Sequence, residues 1–337
     1  MSEVRRDIVT DTWVIVQTSS AGMPDDSPRP PRRPPDCPFC QGNEAMTPPE
    51  VSAVRAAGTT TDGPGWRVRV VPDKQPVLRI EGALDRVGVG IHDMVTGVGA
   101  NEVIIESPDH ETNFAALSEE QIRLVLDTWQ RRLVDLYRDS RFRYVLVFKD
   151  HGRMAGGSTI EHVHSQIIAL PATPRRVKDQ LDGARAYYEY KERCIFCDIL
   201  QDELDSGQRV LLATDRFVVF APYASRLPFE LRVKPRRHCH SFGDATADEL
   251  ADLSPVLKRT VGALHSALGD PAFNVVLQTA PNLLPQDGYW ETIGRDYHWF
   301  LEIIPRVRRT DGFEWGSGFF INPVAPELAV ARLKEEL

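Results

Sequence analysis

Four of the five cysteines in this 337-residue chain form two Cys-x-x-Cys pairs, Cys37-Pro-Phe-Cys40 and Cys194-Ile-Phe-Cys197, and each pair opens the same succession of motifs. After the first comes a strand pattern, Asn101-Glu-Val-Ile-Ile-Glu-Ser107, that ends at Pro108-Asp109-His110. A helix follows, with Ser118 and Gln121 spaced for a capping box and an apolar stripe at Ile122, Val125, Trp129, Leu133 and Leu136. Tyr144-Val-Leu-Val-Phe148 then reads as a buried strand, and His162-Val-His164 comes next. After the second pair, the strands Phe217-Val-Val-Phe220 and Phe229-Glu-Leu-Arg-Val233 run to Pro235-Arg-Arg-His238. A helix capped by Thr246 and Glu249 leads to the strand Phe273-Asn-Val-Val-Leu-Gln278, and then to His298-Trp-Phe-Leu-Glu302. Two such series predict an internal duplication in an α+β chain.

Two thiols and two imidazoles per half suit a closed tetrahedral metal site. We expect Cys37, Cys40, His110 and His162 to hold one zinc, and Cys194, Cys197, His238 and His298 a second. Iron is an alternative at one of them, since imidazole accepts both. His238 is preferred over its neighbours Cys239 and His240 because Pro-x-x-His matches Pro108-Asp109-His110. His92, His151 and His265 match no partner, and loop or surface roles are expected for them.

On a strand, alternate residues share a face, so His162, His164 and Gln166 are expected to point the same way. A Gly-Gly-hydroxyl loop, residues 156–159, precedes them. Aligning the two terminal strands puts His162 opposite His298, His164 opposite Phe300, and Gln166 opposite Glu302. The first histidine persists, as a ligand should, while the second occurs only in the N-terminal half. His164 is therefore the candidate nucleophile of a single catalytic half. An imidazole beside polar donors and an open backbone loop suits attack on a phosphate ester.

A formal net charge of −8 leaves no basic field for nucleic acid. No apolar run approaches a membrane span, and the start Met-Ser-Glu-Val-Arg-Arg has no signal-peptide core. The expected setting is the cytoplasm, where Cys-x-x-Cys favours metal over disulfide. The basic residues within 29–33 lie among prolines, as in a linker.

These motifs resemble the galactose-1-phosphate uridylyltransferase family of the histidine-triad superfamily. The resemblance spans nearly the whole chain. It rests on Arg6-Asp7-x-x-Thr10-x-x-Trp13, Cys37-Pro-Phe-Cys40, Val70-Val-Pro-Asp-Lys74 and Glu102-Val-Ile-Ile-Glu-Ser-Pro-Asp-His110. His162-x-His164-x-Gln166 and His298-Trp-Phe-Leu-Glu-Ile-Ile-Pro305 complete the set. It implies two tandem histidine-triad-like domains, residues 1–175 and 176–337, each an antiparallel sheet with helices packed on it. It also implies a homodimer and ping-pong transfer of a nucleoside monophosphate from a nucleotide sugar to a hexose 1-phosphate, through nucleotidyl-His164. In that scheme Gln166 contacts the transferred phosphate, and Gly157, Ser158 and Thr159 cradle it.

The chain departs from the family at residues 18–24, where Arg-Pro is usual, and at Asp73 and Asp150, where amides are usual. Two carboxylates would repel phosphate, so ribose hydroxyls are their expected partners. The tail Gly312-Phe-Glu-Trp-Gly-Ser-Gly-Phe-Phe-Ile-Asn-Pro323 resembles the ADP-glucose phosphorylase branch, in which inorganic phosphate is the acceptor. Hydrolysis of the adduct by water and a zinc-stabilised binding protein are the competing readings from other classes.

Overall fold

The computed structural model describes residues 2–8, 11, 13–17, 35–157, 160–284 and 290–337. The segments 18–24 and 29–33, together with Thr10, Ser158 and Thr159, fall outside these residues. A ten-stranded antiparallel sheet dominates the structure. Its order is β10 (Val210–Ala213), β11 (Phe217–Phe220), β12 (Leu231–Pro235), β14 (Phe300–Pro305), β13 (Phe273–Gln278), β8 (Tyr144–His151), β9 (His164–Leu170), β7 (Ala100–Ile105), β4 (Trp66–Pro72) and β3 (Ser52–Arg55). Reading outward from the β8–β13 junction, β8, β9, β7, β4 and β3 repeat as β13, β14, β12, β11 and β10. The duplication inferred from the motif order is thus a pair of five-stranded units. They do not stay separate: Phe273 to Val276 pair with His151 to Phe148, which joins the two sheets edge to edge. That pairing removes two open edges at once.

One face of the sheet carries α1 (Glu119–Leu136) and α4 (Ala247–Leu268), each inserted at the same point of its repeat. The stripe on α1 is buried, from 0% exposure at Ile122, Val125 and Leu133 to 4% at Leu136. These side chains pack on Val145, Val147, Ile167 and Ala169, the inward residues of β8 and β9. Each such side chain contributes about 1.5–3 kcal/mol when fully buried. Thr246 and Glu249 form the expected capping box on α4. On α1 only half of the expected box exists. Ser118 accepts from Gln121 N–H, but the Gln121 amide turns away and donates to the carbonyls of Arg67 and Glu106. Its reach to two strand-end carbonyls outweighs the local cap, and it ties α1 to the end of β7.

The opposite face differs between the halves. In the C-terminal half, α2 (Arg175–Lys191) and α3 (Ile195–Ser206) cover it, burying Phe300 and Glu302. In the N-terminal half, Leu146, Phe148, Asp150, Gln166 and Ile168 remain half-buried on that face. A second sheet, of β2 (Trp13–Gln17), β1 (Ser2–Arg6), β6 (His92–Thr96) and β5 (Arg86–Val89), packs beside it through Val4, Val95 and Leu78. Short helices α5 (Ile293–Asp296), α6 (Gly312–Ser317) and α7 (Pro326–Lys334) complete the chain. Among the described residues no helix is long and apolar enough to cross a membrane.

Candidate active site and metal centres

The eight expected ligands assemble as two clusters, Cys37, Cys40, His110, His162 and Cys194, Cys197, His238, His298, with all ligand atoms of a cluster within 4.8 Å of one another. In the first, Nδ1 of His162 lies 3.6 Å from Cys37 Sγ and 3.7 Å from Cys40 Sγ, and His110 Nδ1 lies 3.4 Å from Cys40 Sγ. In the second, Cys197 Sγ lies 3.3 Å from His238 Nδ1 and 3.5 Å from His298 Nδ1. Tetrahedral bonds of about 2.3 Å to sulfur and 2.0–2.1 Å to nitrogen would set neighbouring donors roughly 3.6 Å apart. Both clusters therefore fit a metal ion.

The surroundings prepare the ligands. His162 Nε2–H donates to the Ser107 carbonyl at 2.8 Å, which leaves Nδ1 with its lone pair toward the thiols. Likewise His238 Nε2 lies 3.0 Å from the Gly294 carbonyl. Burial lowers the pKa of His162 to about 4, so the ring is neutral at pH 7. Burial, then the charge of Cys37, pushes the Cys40 thiol up to about 12. A divalent cation reverses that preference and binds the thiolate.

The strand carrying the histidines begins at His164, not at His162. His162 sits in the irregular lead-in, where its ring meets the thiols, so alternation along the strand relates only His164 and Gln166. Its counterpart His298 stands just ahead of β14, which begins at Phe300. The alignment of the two repeats thus holds residue for residue at His162/His298 and His164/Phe300.

His164 is 9% exposed. Its Nδ1–H donates to the His162 carbonyl at 2.7 Å, which fixes the tautomer and leaves the lone pair on Nε2. Burial lowers its pKa to about 4 as well, so the ring is uncharged at neutral pH. Phe39 meets it edge-on at 5.3 Å. His164 lines a cavity of about 330 Å³ together with Asp150, Gly152, Arg153 and Gly157. The cavity loop is tightly closed: Gly157 N–H donates to the Gly152 carbonyl at 3.1 Å, and a Cβ on Gly157 would lie 2.7 Å from that oxygen. Gly152 itself has φ +75°.

Asp150 is fixed by Asn274 at 2.5 Å, and Arg306 holds Asn274 in turn at 2.6 Å. Gln166 lies outside the cavity lining, two residues farther along the open face. Asp73 is not brought to the cavity. It directly follows β4, and its carboxylate accepts from Gln75 N–H in a local turn. His265 stands on α4 with its side chain 42% exposed, a surface position. His265 and His151 both contact Asp270, at 3.2 and 2.8 Å.

Sequence reasoning missed Glu106 and Lys149, a buried ion pair at 2.6 Å directly behind His164. The available signal was a charged residue continuing an apolar alternation, Lys149 after Val145 and Val147.

A neutral imidazole lines a cavity in one half of a duplicated α+β fold, and phenylalanine takes its place in the other half. Comparison with known proteins narrows this. Residues 89–174 match the family model for the N-terminal domain of galactose-1-phosphate uridyl transferase. The chain is 33% identical to ADP-glucose phosphorylase of Arabidopsis thaliana over 342 residues, covering 99% of this chain and 93% of that one. It is 27% identical to galactose-1-phosphate uridylyltransferase of Thermotoga maritima over 347 residues, covering 99% and 98%. A crystal structure of the Arabidopsis thaliana ADP-glucose phosphorylase with bound ADP-glucose superposes with TM-score 0.77 at 30% identity, covering 99% of each chain. The chain belongs to the galactose-1-phosphate uridylyltransferase family, and it is an enzyme of the nucleotidyltransferase class.

Proposed function

We propose that this enzyme moves a nucleoside monophosphate between a nucleotide sugar and a hexose 1-phosphate through a covalent nucleotidyl-His164. The observation that carries this is the fixed tautomer of His164. With Nδ1–H held by the His162 carbonyl, Nε2 has the free lone pair. Nε2 attacks the α-phosphorus, the bond from phosphorus to the bridging oxygen breaks, and sugar 1-phosphate leaves with the electron pair. The second phosphate then attacks the same phosphorus and restores the imidazole. In this reading the loop ending at Gly157 cradles the phosphate, and the Gln166 amide, farther along the same face, donates to its nonbridging oxygens. Asp150 is the group at hand for substrate hydroxyls.

Cys37, Cys40, His110 and His162 would hold one zinc, and Cys194, Cys197, His238 and His298 a second. This zinc is structural, since four protein ligands leave no open position. The first site also holds the lead-in whose carbonyl orients His164.

Inorganic phosphate as acceptor is the second reading, favoured by the higher identity to ADP-glucose phosphorylase. Mass spectrometry after mixing with ADP-glucose or UDP-glucose should reveal an adduct of one nucleoside monophosphate. Discharge by galactose 1-phosphate and not by phosphate supports the first reading, and the reverse supports the second. Nucleotide release with neither acceptor would mean a hydrolase.

A homodimer is expected from the exposed aromatic segment Phe313, Trp315, Phe319 and Phe320, of which Trp315 is 83% exposed. Sedimentation of the wild type as a dimer, and of Trp315→Ser as a weaker one, is the expected result. A monomeric wild type would reject it.

A further inference from the structure

We propose that the buried Glu106–Lys149 ion pair positions the nucleophile, by holding the main chain of His164 from the helix-covered side of the sheet. This rests on the covalent reading above and adds to it two buried residues behind the nucleophile, of which Lys149 also borders the cavity.

Lys149 is 3% exposed and Glu106 is fully buried. Lys149 Nζ donates to Glu106 Oε2 at 2.6 Å and to the carbonyl of His164 at 2.9 Å, and lies 5.2 Å from the centre of the Phe114 ring. Glu106 Oε1 is buried without a hydrogen-bond partner among the described residues, so the carboxylate serves Lys149 alone. A charged pair here is an expensive filler. On β8 the pattern Val145, Val147 continues to Lys149, and the alternation that ends β7 at Ile104 continues, just past the strand, to Glu106. An apolar pair of the same shape would suit this core as well or better. What apolar residues cannot supply is a donor to the His164 carbonyl.

That donor completes a set. The carbonyl of His162 is held by His164 Nδ1–H at 2.7 Å, that of Val163 by Glu106 N–H at 3.2 Å, and that of His164 by Lys149. Val163 N–H donates to the Glu111 carbonyl at 2.7 Å, and His162 Nε2–H to that of Ser107 at 2.8 Å. Glu106 takes part twice, through its main chain and through its carboxylate. The three residues 162–164 are thereby fixed in direction. The imidazole needs that, because its Nδ1 acceptor belongs to the same short segment. A nucleophile must be held to about half an ångström, and displacement by about 1 Å costs on the order of 100-fold in rate.

The test is rapid-quench formation of the adduct from ADP-glucose or UDP-glucose labelled in the α-phosphate, using full-length metal-loaded enzyme. In Lys149→Met the rate constant of labelling is expected to fall about 10- to 100-fold. The labelled fraction, the metal content and the KM for the donor should stay within about threefold, while Lys149→Arg, which keeps charge and donor, recovers part of the rate. Glu106→Gln, which keeps the shape, should lose rate similarly and serves if Lys149→Met does not fold. Wild-type labelling rates in both variants overturn the proposal. So does a loss confined to the labelled fraction and metal content with the rate constant unchanged, since that marks a purely structural pair. If the wild type forms no adduct, the covalent reading itself fails.

Discussion

His164→Ala is expected to abolish nucleotidyl transfer and covalent labelling together, a loss on the order of 10⁴-fold or more. The size follows from the role. Without Nε2 there is no atom to receive the phosphorus, and the positioned loop and Gln166 are left with no covalent step to assist. The variant should keep its fold and its metal, because the ring makes one hydrogen bond, to the His162 carbonyl, and touches Phe39, while no metal-cluster distance involves it. Metal analysis and thermal melting run beside the kinetics separate this from unfolding. An unchanged turnover rate in His164→Ala would sink the mechanism. Metal lost in His164→Ala but retained in His162→Ala would instead mean that the two histidines have been exchanged.

Most of this site was readable from residue order because each half repeats it. Cys37, Cys40, His110 and His162 are far apart in the chain, and pattern alone would not join them. Their twins in the same succession made the grouping specific, and the clusters in the structure match it residue for residue. Strand interiors were legible for the same reason that they are buried: the alternation at β8 and the run at Phe273–Gln278 have no competing period. Three things were not legible. The edge-to-edge union of the halves depends on β8 meeting β13, and either strand reads equally well as an edge. The covering of the C-terminal face depends on α2, a polar helix that buries just three apolar side chains among its described residues, Val177, Leu181 and Ala184, and reaches Glu302 through Arg176. Asp73 departs from the family's amide, and its carboxylate is expected to face ribose hydroxyls, yet a turn two residues long takes it first. Local hydrogen bonding of this kind leaves no mark on spacing.

Loss of the first metal cluster should bring the largest fall in stability. Cys37→Ser is expected to lower the metal content from two ions per chain to one and the melting temperature by about 10 °C or more, since a structural zinc contributes ~10 kcal/mol or more toward order. The reason lies in what surrounds Cys37. It is fully buried, packed with Phe39, Trp66, Val71, Val103 and Ile105, in a loop held by few main-chain bonds, such as Gln41 N–H to the Pro108 carbonyl. Serine there replaces a soft ligand with a buried hydroxyl that binds zinc poorly. Without the ion, Cys40 reverts to a neutral thiol, because burial and its neighbours push it up to about 12. Uptake of the ion at pH 7 should therefore release the proton of the Cys40 thiol. It follows that the affinity falls as the pH is lowered, because protons compete for the thiolates. Activity should fall with the metal, because His162 both binds the ion and offers the carbonyl that sets the tautomer of His164. Calorimetry of the chelated and reloaded enzyme, with metal counted at each stage, checks the chain of dependence. A Cys37→Ser enzyme that kept two ions and its melting temperature would show that this cluster is four ordinary side chains.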